Sequence, residues 1–122
     1  MTTFRFKTAE EREKLSAEIP WDIAQPLILD YATRPDALKV ELPDGTVQTL
    51  KAYRFSADEI QNLLNQPNVT DLYLMFATSP VNPANITIIA GGVNDKALDG
   101  GYLLTNLLYD YCEPCPNKCA AM

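Results

Sequence analysis

Val69-Thr70-Asp71-Leu72-Tyr73-Leu74-Met75-Phe76-Ala77 and Asn85-Ile86-Thr87-Ile88-Ile89-Ala90-Gly91 are the two stretches that decide the fold. Both are rich in β-branched, aromatic and aliphatic residues and contain no proline, the composition of a packed, pleated strand. Strand side chains alternate, so Leu72, Leu74 and Phe76 point one way and Tyr73, Met75 and Ala77 the other. With Ile86, Ile88, Ile89 and Ala90 next along, both faces read as covered at least in part, and both strands are expected to be central. Ser79-Pro80-Val81-Asn82-Pro83 between them is too short for a crossover helix. The pair is therefore expected to be an antiparallel hairpin.

Downstream, Gly91-Gly92-Val93-Asn94-Asp95 on to Asp99-Gly100-Gly101 reads as a glycine-framed loop. Leu103, Leu104, Leu107 and Leu108 have the spacing of a helical stripe, but Tyr109 and Tyr111 favour a strand. A strand over 106–111 is the expectation. Upstream, Ser56-Ala57-Asp58-Glu59 is a capping box, with Phe55 and Ile60 at the two staple positions. It opens a helix that carries Ile60, Leu63 and Leu64 inward and ends before Pro67.

Leu38, Val40 and Leu42 alternate with Lys39 and Glu41, a half-buried strand. Pro43-Asp44-Gly45 is a turn: proline presets its first residue and glycine takes the left-handed bulge position. The return strand over 46–55 changes apolar parity between Val47 and Leu50, which predicts a bulge or break near Thr49. Ile23, Leu27, Ile28 and Tyr31 give a helix over 21–33 one buried face, with Asp22 and Gln25 as its cap pair, some distortion at Pro26 and Trp21 as a core or helix-start anchor. Thr8-Ala9-Glu10-Glu11 caps a polar surface helix over 9–18, and Phe4-Arg5-Phe6 reads as a short strand. These elements predict one α+β domain over 1–122, an antiparallel sheet of about four to six strands with two or three helices, and 108–122 as a Cys/Pro-rich tail.

A formal net charge of −6 argues against nucleic-acid binding, because phosphate contacts need a basic face. It equally disfavours an anionic membrane surface, and no apolar run approaches a membrane span. The start of the chain lacks the apolar core of a secretory signal, so a cytoplasmic location is expected. There is no histidine, which removes Ser–His and Cys–His nucleophilic catalysis and the commonest metal ligand. No pair of carboxylates stands out as an acid/base dyad.

All three cysteines fall in Tyr109-Asp110-Tyr111-Cys112-Glu113-Pro114-Cys115-Pro116-Asn117-Lys118-Cys119. Thiolates in C-x2-C spacing can grip one ion from a single turn, and Pro114 and Pro116 stiffen that turn. Cys112, Cys115 and Cys119 are the candidate metal ligands, with zinc as the candidate ion and copper(I) the softer alternative. The fourth ligand would be Asp110, the terminal carboxylate, water or a second subunit. Heme attachment is excluded, since Pro116 stands where histidine is required. The plainer reading is a proline-ordered tail packed back on the sheet, its cysteines serving as small buried hydrophobes.

Cys112-Glu113-Pro114-Cys115 resembles the Cys-x-Pro-Cys centre of thioredoxin-like oxidoreductases over those four residues. That family's first cysteine caps a long helix, which lowers its pKa; only seven residues follow Cys115 here. More broadly, Asn85–Ala90 together with Tyr109–Cys119 resembles small bacterial proteins that carry a Cys-Pro-rich tail after an aliphatic hairpin. That resemblance implies no activity. The function expected is that of a non-enzymatic binding or interaction protein, with a protein partner or a second copy as its target. The alternative is a metal-binding or thiol-redox protein acting through the cysteine cluster. A pocket beside Trp21 and Tyr73 is the weakest candidate.

Overall fold

The hairpin is present and supplies two of the three strands of the largest sheet among the described residues. A computed structural model describes residues 18–95 and 101–110 and, for residues 114 and 115, the backbone. The strand expected at Phe4-Arg5-Phe6 and the helix expected over 9–18, Glu18 apart, lie outside the described residues. The chain divides into two compact units, Met1–Pro35 and Asp36–Met122.

In the first unit, α1 (Trp21–Ala32) occupies nearly the expected span. It starts from Pro20, whose carbonyl accepts from the N–H groups of Ile23 (3.1 Å) and Ala24 (3.0 Å). The expected cap pair is not used, and no side chain caps this end. Pro26 lies inside the helix; lacking an N–H, it leaves one carbonyl of the previous turn without its helical bond. At the other end Arg34 reaches back one turn to Asp30 at 2.9 Å. The expected buried face is corrected: no residue of α1 is buried, and Trp21, Leu27, Ile28 and Leu29 are exposed. The helical rotation of about 100° per residue explains part of this. Ile23, Leu27 and Tyr31 share a face, but Leu29 lies on the opposite side, so one stripe cannot hold all the apolar residues.

The second unit is built on β4 (Asp71–Thr78), β5 (Ile86–Asn94) and β6 (Tyr102–Asp110), an antiparallel sheet in the order β4-β5-β6. Before it come the ribbon β1 (Lys39–Glu41) with β2 (Val47–Thr49), the short β3 (Ala52–Tyr53) and the helix α2 (Ala57–Leu64). The last strand, β7 (Pro114–Cys115), pairs antiparallel with β3, Ala52 opposite Cys115. The molecule is mixed α+β. No sheet among the described residues exceeds three strands, against the four to six expected.

The reason for the smaller sheet is visible at two joints. The return strand breaks at Leu50-Lys51, as its parity shift predicts, and β3 leaves β1 to pair with β7. The β1–β2 ribbon is tied to the hairpin by a side chain instead of a strand ladder. Asn85 accepts from the Glu41 N–H at 2.8 Å and donates to the Glu41 carbonyl at 2.9 Å, taking the place of a strand residue. Tyr53 adds a hydroxyl bond to the Ile86 carbonyl at 2.6 Å. The turn between β1 and β2 is as expected: Gly45 has φ +87 and its N–H bonds the Leu42 carbonyl.

Helix α2 begins after Ser56 as predicted, but the Ser56 side chain makes no capping bond. Asp58 and Glu59 in the first turn complement the helix dipole instead. Leu63 is fully buried (0% exposed) and Ile60 half-buried, whereas Leu64 is 44% exposed and does not point inward. After α2, Gln66-Pro67-Asn68-Val69 forms a tight turn closed by the Val69 N–H on the Gln66 carbonyl at 3.3 Å, with Asn68 at φ +68. Asparagine accepts this left-handed position better than other side-chain-bearing residues.

Residues 91–94 are strand, which corrects the loop read from the glycine pair. Neighbouring side chains fill the space beside both glycines. A Cβ on Gly91 would come within 2.8 Å of Leu108 and 2.9 Å of Leu103, and one on Gly92 within 2.8 Å of Val69. β6 starts four residues before the expected strand and carries an irregularity. Gly91 pairs with Leu108 but Gly92 pairs with Leu104, so the residues between bulge out. The bulge restores Leu103 and Leu108 to one face despite their odd spacing, because Val93 and Gly91 opposite them are two apart. The leucine spacing that imitates a helix is therefore a strand with an insertion.

Candidate functional site

The register sorts the hairpin's side chains. Leu72 pairs with Gly92, Leu74 with Ala90 and Phe76 with Ile88, so these six residues share one face. Helix α2 lies on that face: Asn62 Nδ2 donates to the hydroxyl of Tyr109, which is paired with Ala90, and the Gln66–Val69 turn closes on Gly92. Eight residues of helix span about 12 Å, while eight residues of strand run about 27 Å. α2 therefore cannot roof the whole sheet. Ala90 is sealed at 0% exposure, but on β4 Leu72, Leu74 and Phe76 are 39%, 53% and 74% exposed.

This corrects the expectation that β4 is a central strand. β5 is central; β4 is an edge strand with no partner on its outer side among the described residues. The exposed row carries no charge from Leu72 to Thr78 and no proline. Edge strands are usually protected by such devices. The signal that could have placed them lies in the side-chain sizes. β5 holds Ala90-Gly91-Gly92, small enough for neighbours to close over it from both sides, and β4 holds only large residues over 72–76.

The expected metal ligands are placed only in part. Cys112 and Cys119 lie outside the described residues, and Cys115 is described by its backbone, in the ladder opposite Ala52. Asp110, the candidate fourth ligand, ends β6. Its Oδ1 accepts a 2.5 Å hydrogen bond from the hydroxyl of Thr87, which is nearly fully buried. Among the described residues no group of three or more cysteine, aspartate, glutamate or histidine side chains gathers as a metal centre would require. Of the polar residues in the expected glycine-framed loop, Asn94 belongs to β5, the Asp95 N–H donates to Thr70 Oγ1 at 3.0 Å, and Asp99 lies outside the described residues. Trp21 and Tyr73 are both exposed, so Trp21 is not a core anchor; it stands at the start of α1.

Asp44, in the β1–β2 turn, is held below its ordinary pKa of 3.8 first by the Thr46 hydroxyl (2.7 Å) and then by the Thr46 N–H (3.0 Å). Both bonds favour the ionised form. They order the turn, and nothing beside Asp44 marks it as a reacting group. No helix among the described residues is long and apolar enough to cross a membrane. Comparison with protein-family models, curated proteins and solved structures finds no match to this chain.

Proposed function

We propose that the protein is a small non-enzymatic protein of binding or interaction type. The observation that supports this is the row Leu72, Leu74 and Phe76, exposed along an edge strand. Apolar area left in water costs about 25 cal/mol per Å², and a partner that covers the row recovers that free energy. The lack of histidine and the net charge of −6 support the same reading, since they remove the commonest catalytic base and disfavour nucleic acid. The test is a pull-down with the wild type and with Phe76→Lys in parallel. A stable partner held by the wild type and released by the variant is expected. Equal capture by both proteins, together with turnover by the purified wild type on a substrate panel, refutes the reading.

A second reading has one observation in its favour. β7 holds the backbone of Cys115 in a ladder with β3, which anchors the middle of the C-x2-C-x3-C cluster. In this reading Cys112, Cys115 and Cys119 bind zinc or copper, with Asp110 as fourth ligand. Protein purified under reducing conditions would then carry about one ion per chain, lost in Cys115→Ser. A metal content near zero removes this reading.

A further inference from the structure

The outer edge of β4 has a definite main-chain pattern. The Ser79 N–H donates to the Asn85 carbonyl at 3.0 Å, just past the ladder in which Thr78 pairs with Ile86. In an antiparallel pair the bonded residues recur every second position. Asp71, Tyr73, Met75 and Ala77 therefore turn their N–H and C=O groups toward β5. Leu72, Leu74, Phe76 and Thr78 turn theirs outward, where no strand pairs with them among the described residues. Leu72, Leu74 and Phe76 thus combine exposed apolar side chains with main-chain groups that no strand among the described residues pairs, whereas Tyr73, also exposed at 53%, lies on the other face and bonds β5.

The geometry points to a second copy of this chain as the occupant, docked by antiparallel pairing of β4 with β4 across a two-fold axis. A two-fold perpendicular to the sheet keeps each face continuous, so residues on the same face must oppose each other. Centred on Leu74, the pairing sets Leu74 opposite Leu74 and Leu72 opposite Phe76, twice. Every pair is apolar, and all three residues are outward-bonding. Aromatic–aliphatic cross-strand pairs of this kind stabilise sheets.

Charge selects a like chain over a basic or acidic peptide. The only charge on β4 is Asp71, at its end, so the row offers a charged peptide nothing to pair with. Two copies carrying −6 each would repel, but the antiparallel arrangement places Asp71 opposite Ala77. The two Asp71 residues are then about 20 Å apart along the strands, beyond the ~8 Å screening length at physiological salt. Six strands in one sheet would result, three from each copy. A single strand pair buries less than the roughly 800 Å² per partner of a standard interface. The dimer is therefore weak and concentration dependent.

This inference rests on the binding reading and names its partner. The test is sedimentation of the full chain over a micromolar to millimolar range, with amide exchange followed by NMR at each end of it. The expected result is a monomer–dimer equilibrium in which the Leu72, Leu74 and Phe76 amides gain protection with concentration. The Tyr73 and Met75 amides, already bonded to β5, are protected throughout. Phe76→Lys is expected to weaken the dimer on the order of tenfold or more. Should that variant misfold by circular dichroism, the alternating exchange pattern of the wild type decides alone. A monomer throughout, a dimer whose Leu72, Leu74 and Phe76 amides exchange as fast as at dilution, or protection appearing only when another protein is added overturns the proposal. That last outcome would leave the binding reading standing, whereas Phe76-independent capture with turnover would end both.

Discussion

Leu63→Ala is the sharpest test of how α2 sits on the sheet. Leu63 has no exposed surface, and its neighbour Leu64 is 44% exposed. Truncating Leu63 removes about three buried carbons, or roughly 2.4 kcal/mol at ~0.8 kcal/mol each. A residual cavity adds to this, and buried Leu→Ala changes span about 2–5 kcal/mol. We expect about 3 kcal/mol for Leu63→Ala, a large share of the ~5–15 kcal/mol of a typical domain. Leu64→Ala is expected to cost under about 1 kcal/mol, since most of its surface stays in water. The assay is urea unfolding followed by circular dichroism. With a slope near 1 kcal/mol/M, Leu63→Ala lowers the midpoint by about 3 M and Leu64→Ala by less than about 1 M. Equal costs at the two positions would refute the placement. Adjacent residues differ by about 100° around the helix, so equality would mean that α2 is rotated between them.

Two further results are expected. The Asp44 carboxyl should titrate below 3.8, which NMR can follow directly. A depressed folded pKa gives stability that is present above the unfolded value and lost as pH falls through the folded one, so the turn loosens only under strongly acid conditions. In Thr46→Val the Asp44 pKa should move back up toward its ordinary value. At the Thr87–Asp110 bond, Asp110→Ala leaves a buried hydroxyl without its partner and should cost about 1–3 kcal/mol. Thr87→Val frees an exposed carboxylate to water and should cost about 1 kcal/mol or less. Thermal unfolding of the two variants gives the order, and a larger loss in Thr87→Val would contradict the burial described.

What could be read ahead of the structure was local. The β4–β5 hairpin follows from two apolar runs joined by a connection too short to cross over. The 42–45 turn follows from Pro43 and Gly45, the break after β2 from the parity shift, and the start of α2 from Ser56. Each depends on residues within a few positions of one another. The misreadings share the opposite character. Gly91-Gly92 suggests a loop by itself and is strand because it pairs with β4 on one side and β6 on the other, with Leu103, Leu108 and Val69 packed beside it. The four leucines of β6 imitate a helix until the bulge separates them.

The candidate site divides in the same way. That β4 is an apolar strand, and that three cysteines cluster with two prolines after β6, is a property of the sequence alone, because composition and spacing carry it. That β4 is an edge among the described residues, with Leu72, Leu74 and Phe76 exposed, was decided only by the tertiary structure. So was the pairing of Cys115 with Ala52, a contact across most of the second unit. Burial and pairing depend on which elements meet. Here an eight-residue helix is too short to cover the sheet it lies on, and no count of apolar residues along β4 contains that length.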